Sequence, residues 1–136
     1  MLTHLLEVYL NLHGKVTLSW DKDLLIIEAF GPFNDEGLDY YNALIKNAIN
    51  GRSCESWKRL EIWDNEVLGS PSVVDKCKAM HGWYDENRCV LSAVVVSNRI
   101  QEIILREKVN TSAHIFFSSE DARNWLNVSR NLDKHY

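Results

Sequence analysis

Val90-Leu91-Ser92-Ala93-Val94-Val95-Val96 is almost continuously apolar. A strand with one wet face alternates, so a run without alternation reads as a strand covered on both faces, in the centre of a sheet. The neighbouring stretches agree. Upstream, Ser70 is a good N-cap and Pro71 suits the first helical position. Val73, Val74, Cys77, Met80 and Tyr84 then make the inward stripe of a helix running to about Asn87, weakened near its end by Gly82. Downstream, Asn98 with Gln101 opens another helix, with Ile100, Ile103 and Ile104 inward. Ala113 to Phe117 reads as a last strand. Ser118 with Asp121 opens a last helix with Ala122, Trp125 and Leu126 on its stripe.

Towards the N-terminus, Val16 to Trp20 alternates, Asp21-Lys22-Asp23 turns, and Leu24 to Phe30 returns as the second arm of a hairpin. Gly31-Pro32 breaks the strand. Asn34 caps a helix with Asp35 and Glu36 in its first turn, Leu38, Tyr41, Ile45, Ala48 and Ile49 inward, and Gly51 at its end. Trp57 to Trp63 is the third strand. The order is β-β-α-β-α-β-α-β-α. Right-handed crossovers make this an α/β fold, a mostly parallel sheet with an N-terminal hairpin and helices packed against it. Three segments follow: an apolar N-terminal extension over 1–13, one domain over 14–126, and a polar tail over 127–136 that is expected to fray.

At 136 residues the chain buries a real core without staples. A net charge of -4 weighs against nucleic acid as a partner, because binders of phosphate backbones present a basic face. Arg52, Lys58 and Arg59 flank one loop, and Arg99, Arg106 and Lys108 follow one helix. Acids are interspersed in both sets, so they read as solvated faces. Cys54, Cys77 and Cys89 are an odd number without C-x-x-C spacing. That disfavours a disulfide framework or a zinc site and fits a reducing cytoplasm. Met1 to Leu12 is leucine-rich, but it lacks a basic start, contains Glu7, and is too short to span a bilayer. No transmembrane segment is expected, which leaves peripheral membrane association open. Leu2, Leu5, Leu6, Tyr9 and Leu10 would line one side of a helix, whereas Val8, Leu10 and Leu12 alternate as in a strand. Either form needs a surface to cover, and a homodimer would supply one.

Chemical motifs are sparse. There is no G-x-S-x-G elbow and no Gly-rich phosphate loop, and Asp64, Glu66, Asp75 and Asp85 lack metal-ligand spacing. No cofactor, metal or catalytic residue is expected. Cys77 and His81 lie one turn apart, the spacing of a Cys–His pair and equally of ordinary core packing. Asp64 leaves the carboxyl end of the third strand, where ligands gather in open α/β sheets. Ser70 and Ser72 sit at a helix mouth, where an anion or a regulatory phosphate is stabilised. The plain alternative is that Ser70 only caps the helix. Five tryptophans exceed what one small core needs. Trp63, Trp83 and Tyr84 suit the wall of an apolar pocket or a partner-docking patch.

Three segments carry a family resemblance: Gly14-Lys15-Val16-Thr17, Glu28-Ala29-Phe30-Gly31-Pro32-Phe33-Asn34, and Phe116-Phe117-Ser118-Ser119-Glu120-Asp121-Ala122-Arg123-Asn124-Trp125-Leu126. With the element order, they make the chain resemble the STAS superfamily, the fold of bacterial anti-sigma-factor antagonists. More closely still, it resembles the stand-alone branch of STAS-like proteins described with the CRAL-TRIO lipid-binding fold. The resemblance implies a signalling or lipid-associated module. In the regulatory STAS proteins the second helix starts with an Asp-Ser pair whose serine is phosphorylated. Gly69-Ser70-Pro71-Ser72 is the matching stretch and has no Asp directly before either serine. The leading expectation is a non-catalytic regulatory module that binds a protein partner or a small apolar or anionic ligand, lipid included. The alternatives are a small enzyme using Asp64, Cys77 or His81 beside the second helix, and a phosphorylation-controlled antagonist switched at Ser70 or Ser72.

Overall fold

The computed structural model describes residues 12–52 and 55–133. The expected extension up to residue 11, Cys54 and the last three residues of the tail lie outside them, as do the dimer contact through the N-terminal leucines and the choice there between helix and strand.

Among the described residues, five strands form one sheet in the order β1-β2-β3-β4-β5. β1 (Lys15–Asp21) and β2 (Leu24–Phe30) are the antiparallel hairpin, turned at Lys22 with φ 57°. β3 (Trp57–Trp63), β4 (Cys89–Val95) and β5 (His114–Phe116) add in parallel. Between them run α1 (Asp35–Asn50), α2 (Pro71–Glu86) and α3 (Arg99–Ile104), the last continuing as a π-turn over Leu105–Val109. α4 (Ser119–Asp133) closes the chain and takes in most of the stretch expected as tail.

Because sequential strands are spatial neighbours, right-handed crossovers put every connecting helix on the same side of the sheet. Packing follows suit. Leu25, Ile27, Trp57, Trp63 and Val94 meet Tyr41, Ile45 and Ile49 of α1, Val73, Met80 and Tyr84 of α2, and Leu105 and Val109 of the π-turn. The alternate residues Leu24, Leu60, Ala93 and Val95 meet Ala122 and Leu126 of α4 on the other side.

Three expectations change in detail. β4 is interior but not central, since β3 holds the middle. Its first half is uncovered, because β5 pairs only with Ala93 to Val95 and Val90 is exposed. On α3, Ile100 and Ile103 face outward while Ile104 packs against the core as expected, and Gln101, with Leu105 and Val109 of the π-turn, takes the interior. The cause is local. Gln101 accepts from Ser97 N at 2.8 Å and donates to Asp64 O at 2.7 Å, tying together the chain beyond β3 and β4. Finally, Lys58 and Arg59 are not a solvated face. Arg59 is 1% exposed, and Lys58 is buried with its ammonium on Asp23 at 2.7 Å.

Candidate functional site

Two groups of residues converge on α2, one at its mouth and one beneath its middle. At the mouth, Ser70 caps the helix, its Oγ accepting from Val73 N at 3.4 Å. Its hydroxyl lies 2.9 Å from that of Ser72, and Ser72 Oγ donates to both carboxylate oxygens of Asp35 at 2.8 and 3.0 Å. Asp35 opens α1, so the N-termini of two helices meet here. One turn on, Lys76 bridges to Asp39 at 2.8 Å and repeats the link between α1 and α2. Both serines are exposed.

Asp64 stands just behind. Its Oδ1 accepts from Gly31 N at 3.1 Å and from Glu66 N at 3.0 Å, clamping the ends of β2 and β3. Gly31 is required there: a Cβ would lie 1.9 Å from the Glu66 carbonyl oxygen. Asp64 thus supports the loop that leads to Ser70 and Ser72.

In the second group, Trp63, His81 and Tyr84 were candidates from the sequence, whereas Arg59 and Glu61 escaped sequence reasoning. Trp57, Arg59, Glu61 and Trp63 share the helix-facing side of β3, by the two-residue period of a strand. Trp63 Nε1 donates to Glu61 Oε2 at 2.6 Å, and His81 Nε2 is 3.6 Å from the same oxygen. His81 Nδ1 pairs with Thr111 Oγ1 at 2.8 Å. The ring is thus held between the Thr111 hydroxyl on one nitrogen and the Glu61 carboxylate on the other. The Arg59 guanidinium stacks on the Tyr84 ring at 4.0 Å, and its Nε lies 3.4 Å from Glu61 Oε1 without hydrogen-bond geometry. The signal was available: a charged pair spaced two apart, framed by tryptophans, in a strand whose other face is Leu60 and Ile62.

Burial works to raise the Glu61 carboxyl. The charge and hydrogen bond of His81, then Arg59 and Trp63, outweigh it and hold the group at about 2. Burial likewise opposes the Arg59 charge, and Glu61 overcomes that and keeps the guanidinium protonated. Burial and the Glu61 charge both push the Cys77 thiol far up. A nucleophilic cysteine needs the opposite shift, so the Cys77–His81 spacing here is packing around a carboxylate rather than an activated thiol.

Trp63 and Tyr84 are buried on either side of Glu61 and line a cavity of about 50 Å³ between the sheet, α1 and α2. Trp83 touches Tyr84 edge-on, with ring centroids 6.1 Å apart, but does not line that cavity. It faces the groove outside, with Lys46 Nζ 5.4 Å from its ring. The expected aromatic trio is therefore divided between an inner cavity and an outer groove. Among the described residues, no group of three or more His, Cys, Asp or Glu is placed to hold a metal ion, and no helix is long and apolar enough to cross a membrane.

Solved structures share this architecture. One is an uncharacterized protein of the DUF3478 family with a SpoIIAA-like fold from Shewanella loihica PV-4. It is 17% identical with a TM-score of 0.59, over 85% of this chain and 94% of that one. Another is an anti-sigma factor antagonist from Mycobacterium paratuberculosis. It is 10% identical with a TM-score of 0.59, over 84% of this chain and 94% of that one. The fold is STAS-like. At these identities the likeness concerns architecture alone. No protein-family model matches the sequence, and no curated protein matches it. The Ser70–Ser72 mouth opens the helix after β3.

Proposed function

We propose that this STAS-like chain is a non-catalytic regulatory module that docks a protein partner through the mouth of α2. One observation carries the reading: two exposed serine hydroxyls, joined to each other and to Asp35, lie where the N-termini of α1 and α2 meet. The architecture shared with an anti-sigma factor antagonist supports a protein partner.

The same geometry makes the face switchable. A phosphate on Ser72 removes the hydroxyl proton that Asp35 accepts and sets a near-dianion beside that carboxylate. The α2 N-terminus offsets part of the repulsion, so the α1–α2 seam changes while the helix persists. Asp64 belongs to the face as the clamp that fixes its loop. The test is to incubate the protein with ATP and an extract of cells that express it, then map added mass by peptide sequencing. Phosphate on Ser70 or Ser72, absent from the double variant Ser70→Ala/Ser72→Ala, is the expected result. Phosphate confined to other serines, or none, removes the switch. The docking claim then rests on the crosslinking experiment described at the end of the Discussion.

A further inference from the structure

β1 is an edge strand, and among the described residues nothing pairs with its outer side. The direction of its main-chain groups follows from the neighbouring ladder. Lys58 N donates to Asp23 O at 2.8 Å, and Asp64 N to Ala29 O at 3.0 Å. Every second residue from Asp23 to Ala29 therefore turns its peptide groups towards β3, and Leu24, Ile26, Glu28 and Phe30 turn theirs towards β1. Their partners are Asp21, Ser19, Thr17 and Lys15. The residues between, Val16, Leu18 and Trp20, point N–H and C=O the other way, past the edge of the sheet. Proteins keep such an edge single with a proline, a bulge or a charge in mid-strand. β1 has none of these: its register with β2 is unbroken, and its charged residues, Lys15 and Asp21, stand at its two ends.

That edge is complementary to itself. A two-fold axis through Leu18, perpendicular to the sheet, sets a second β1 antiparallel to the first. Leu18 then faces Leu18 and Val16 faces Trp20, and these residues exchange the main-chain hydrogen bonds. Thr17 faces Ser19 and Lys15 faces Asp21 in the pairs between them. Opposite charges meet at both ends, hydroxyls meet beside the axis, and a β-branched side chain meets an aromatic one, all favourable cross-strand pairs. Competing arrangements lose this. In-register parallel pairing sets Lys15 beside Lys15 and Asp21 beside Asp21. A slip of one residue brings outward main-chain groups against inward ones, and a slip of two parts Lys15 from Asp21. The helix above agrees. α1 packs near Val16, Leu18 and Trp20 through Ile45 and Ile49. Asn42 and Lys46 turn to the α2 side, which leaves Leu44 on the opposite flank, over the β1 edge and 40% exposed. The same axis brings the two Leu44 flanks towards each other.

We propose that the free edge of β1 is a self-association surface, which joins a second copy of this chain antiparallel about Leu18 into one continuous sheet. The interface uses neither Ser70 nor Ser72, so it stands or falls apart from docking at the mouth of α2.

The test is sedimentation of the full-length protein and of paired variants. A particle of twice the chain mass of 15.8 kDa is expected. Thr17 and Ser19 are exposed, so substitutions there leave the core alone. Thr17→Lys/Ser19→Lys sets like charges opposite each other twice across the axis and should weaken association by about tenfold or more. Thr17→Lys/Ser19→Glu, at the same positions, sets unlike charges there and should restore it. The register has its own readout. A non-hydrogen-bonded antiparallel pair holds its Cα atoms about 4.5 Å apart, within disulfide reach. Thr17→Cys mixed with Ser19→Cys should therefore form a disulfide from position 17 to position 19 between copies on mild oxidation, located by peptide mapping. Neither variant alone should cross-link through its new thiol. A mass that stays at 15.8 kDa at every concentration overturns the proposal, as it would if another part of the chain covered the edge. So does association that Thr17→Lys/Ser19→Lys leaves unchanged or Thr17→Lys/Ser19→Glu fails to restore, which puts the contact elsewhere. A disulfide joining position 17 to 17 or 19 to 19 overturns the pairing about Leu18.

Discussion

Glu61 is a buried carboxylate held charged by His81, Arg59 and Trp63 Nε1. Its folded value of about 2 lies below the ordinary 4.5. Unfolded chains therefore take up the proton first as acid is added. The stability tied to this group is complete above about pH 4.5, drains away as the pH falls towards 2, and is gone below it. Its size is on the order of 3 kcal/mol at about 1.4 kcal/mol per pH unit. Glu61→Gln leaves the Arg59 charge buried without its partner and should cost about 3 kcal/mol at pH 7. Urea unfolding at pH 7 and pH 3 checks both statements, since the variant should lose most of the acid dependence as well as the stability. At the mouth of α2, Ser70→Ala should cost about 1 kcal/mol as a lost N-cap, whereas Ser72→Ala, exposed and within the first turn, should cost less than about 0.5 kcal/mol. Thermal melts that rank them the other way would place the cap on Ser72. At this scale, sequence reading found Ser70 and Asp64 because capping and strand-end chemistry are local. It missed Arg59 and Glu61 because only the neighbours of β3 decide that both faces of that strand are covered.

Among the elements, α2 was legible at both ends. Ser70, Pro71 and the stripe through Tyr84 are signals written within one helix. α3 was legible at its start, where Asn98 Oδ1 accepts from Gln101 N at 2.9 Å, and in the inward Ile104, but not in the facing of Ile100 and Ile103. Three isoleucines suggested an inward stripe. The helix lasts six residues before the π-turn, and the loop carbonyl of Asp64 needs a donor that Gln101 supplies. Long-range demand overrode local hydrophobicity, and Ile100 was left 70% exposed. Ile100→Lys should accordingly shift stability by less than about 0.5 kcal/mol, while Leu105→Ala, fully buried one turn later, should cost about 2–5 kcal/mol. Gly82→Ala should stabilise by up to about 1 kcal/mol, since the added methyl meets nothing and the helix gains propensity. Chemical denaturation of the three variants separates these outcomes, and a destabilised Gly82→Ala would mean the groove is narrower than described.

For the whole molecule, the element order was readable because periodicity and punctuation alternate cleanly from Val16 to Leu126. The sequential strand order and right-handed crossovers then place α1, α2 and α3 on one side and α4 on the other. That arrangement brings the mouths of α1 and α2 side by side beyond the carboxyl ends of β2 and β3, and docking there is the central claim. A photo-crosslinking residue placed at Glu36, exposed in the first turn of α1 beside Asp35 and clear of both serines, should capture a discrete protein in cells that express the chain. The same residue at Thr17, on the opposite side of β1, should capture nothing besides a second copy of the chain, and Ser72→Asp should reduce the capture at position 36 severalfold. Equal capture of that protein from both positions, capture indifferent to Ser72→Asp, or none from position 36 would contradict a docking face at the mouth of α2.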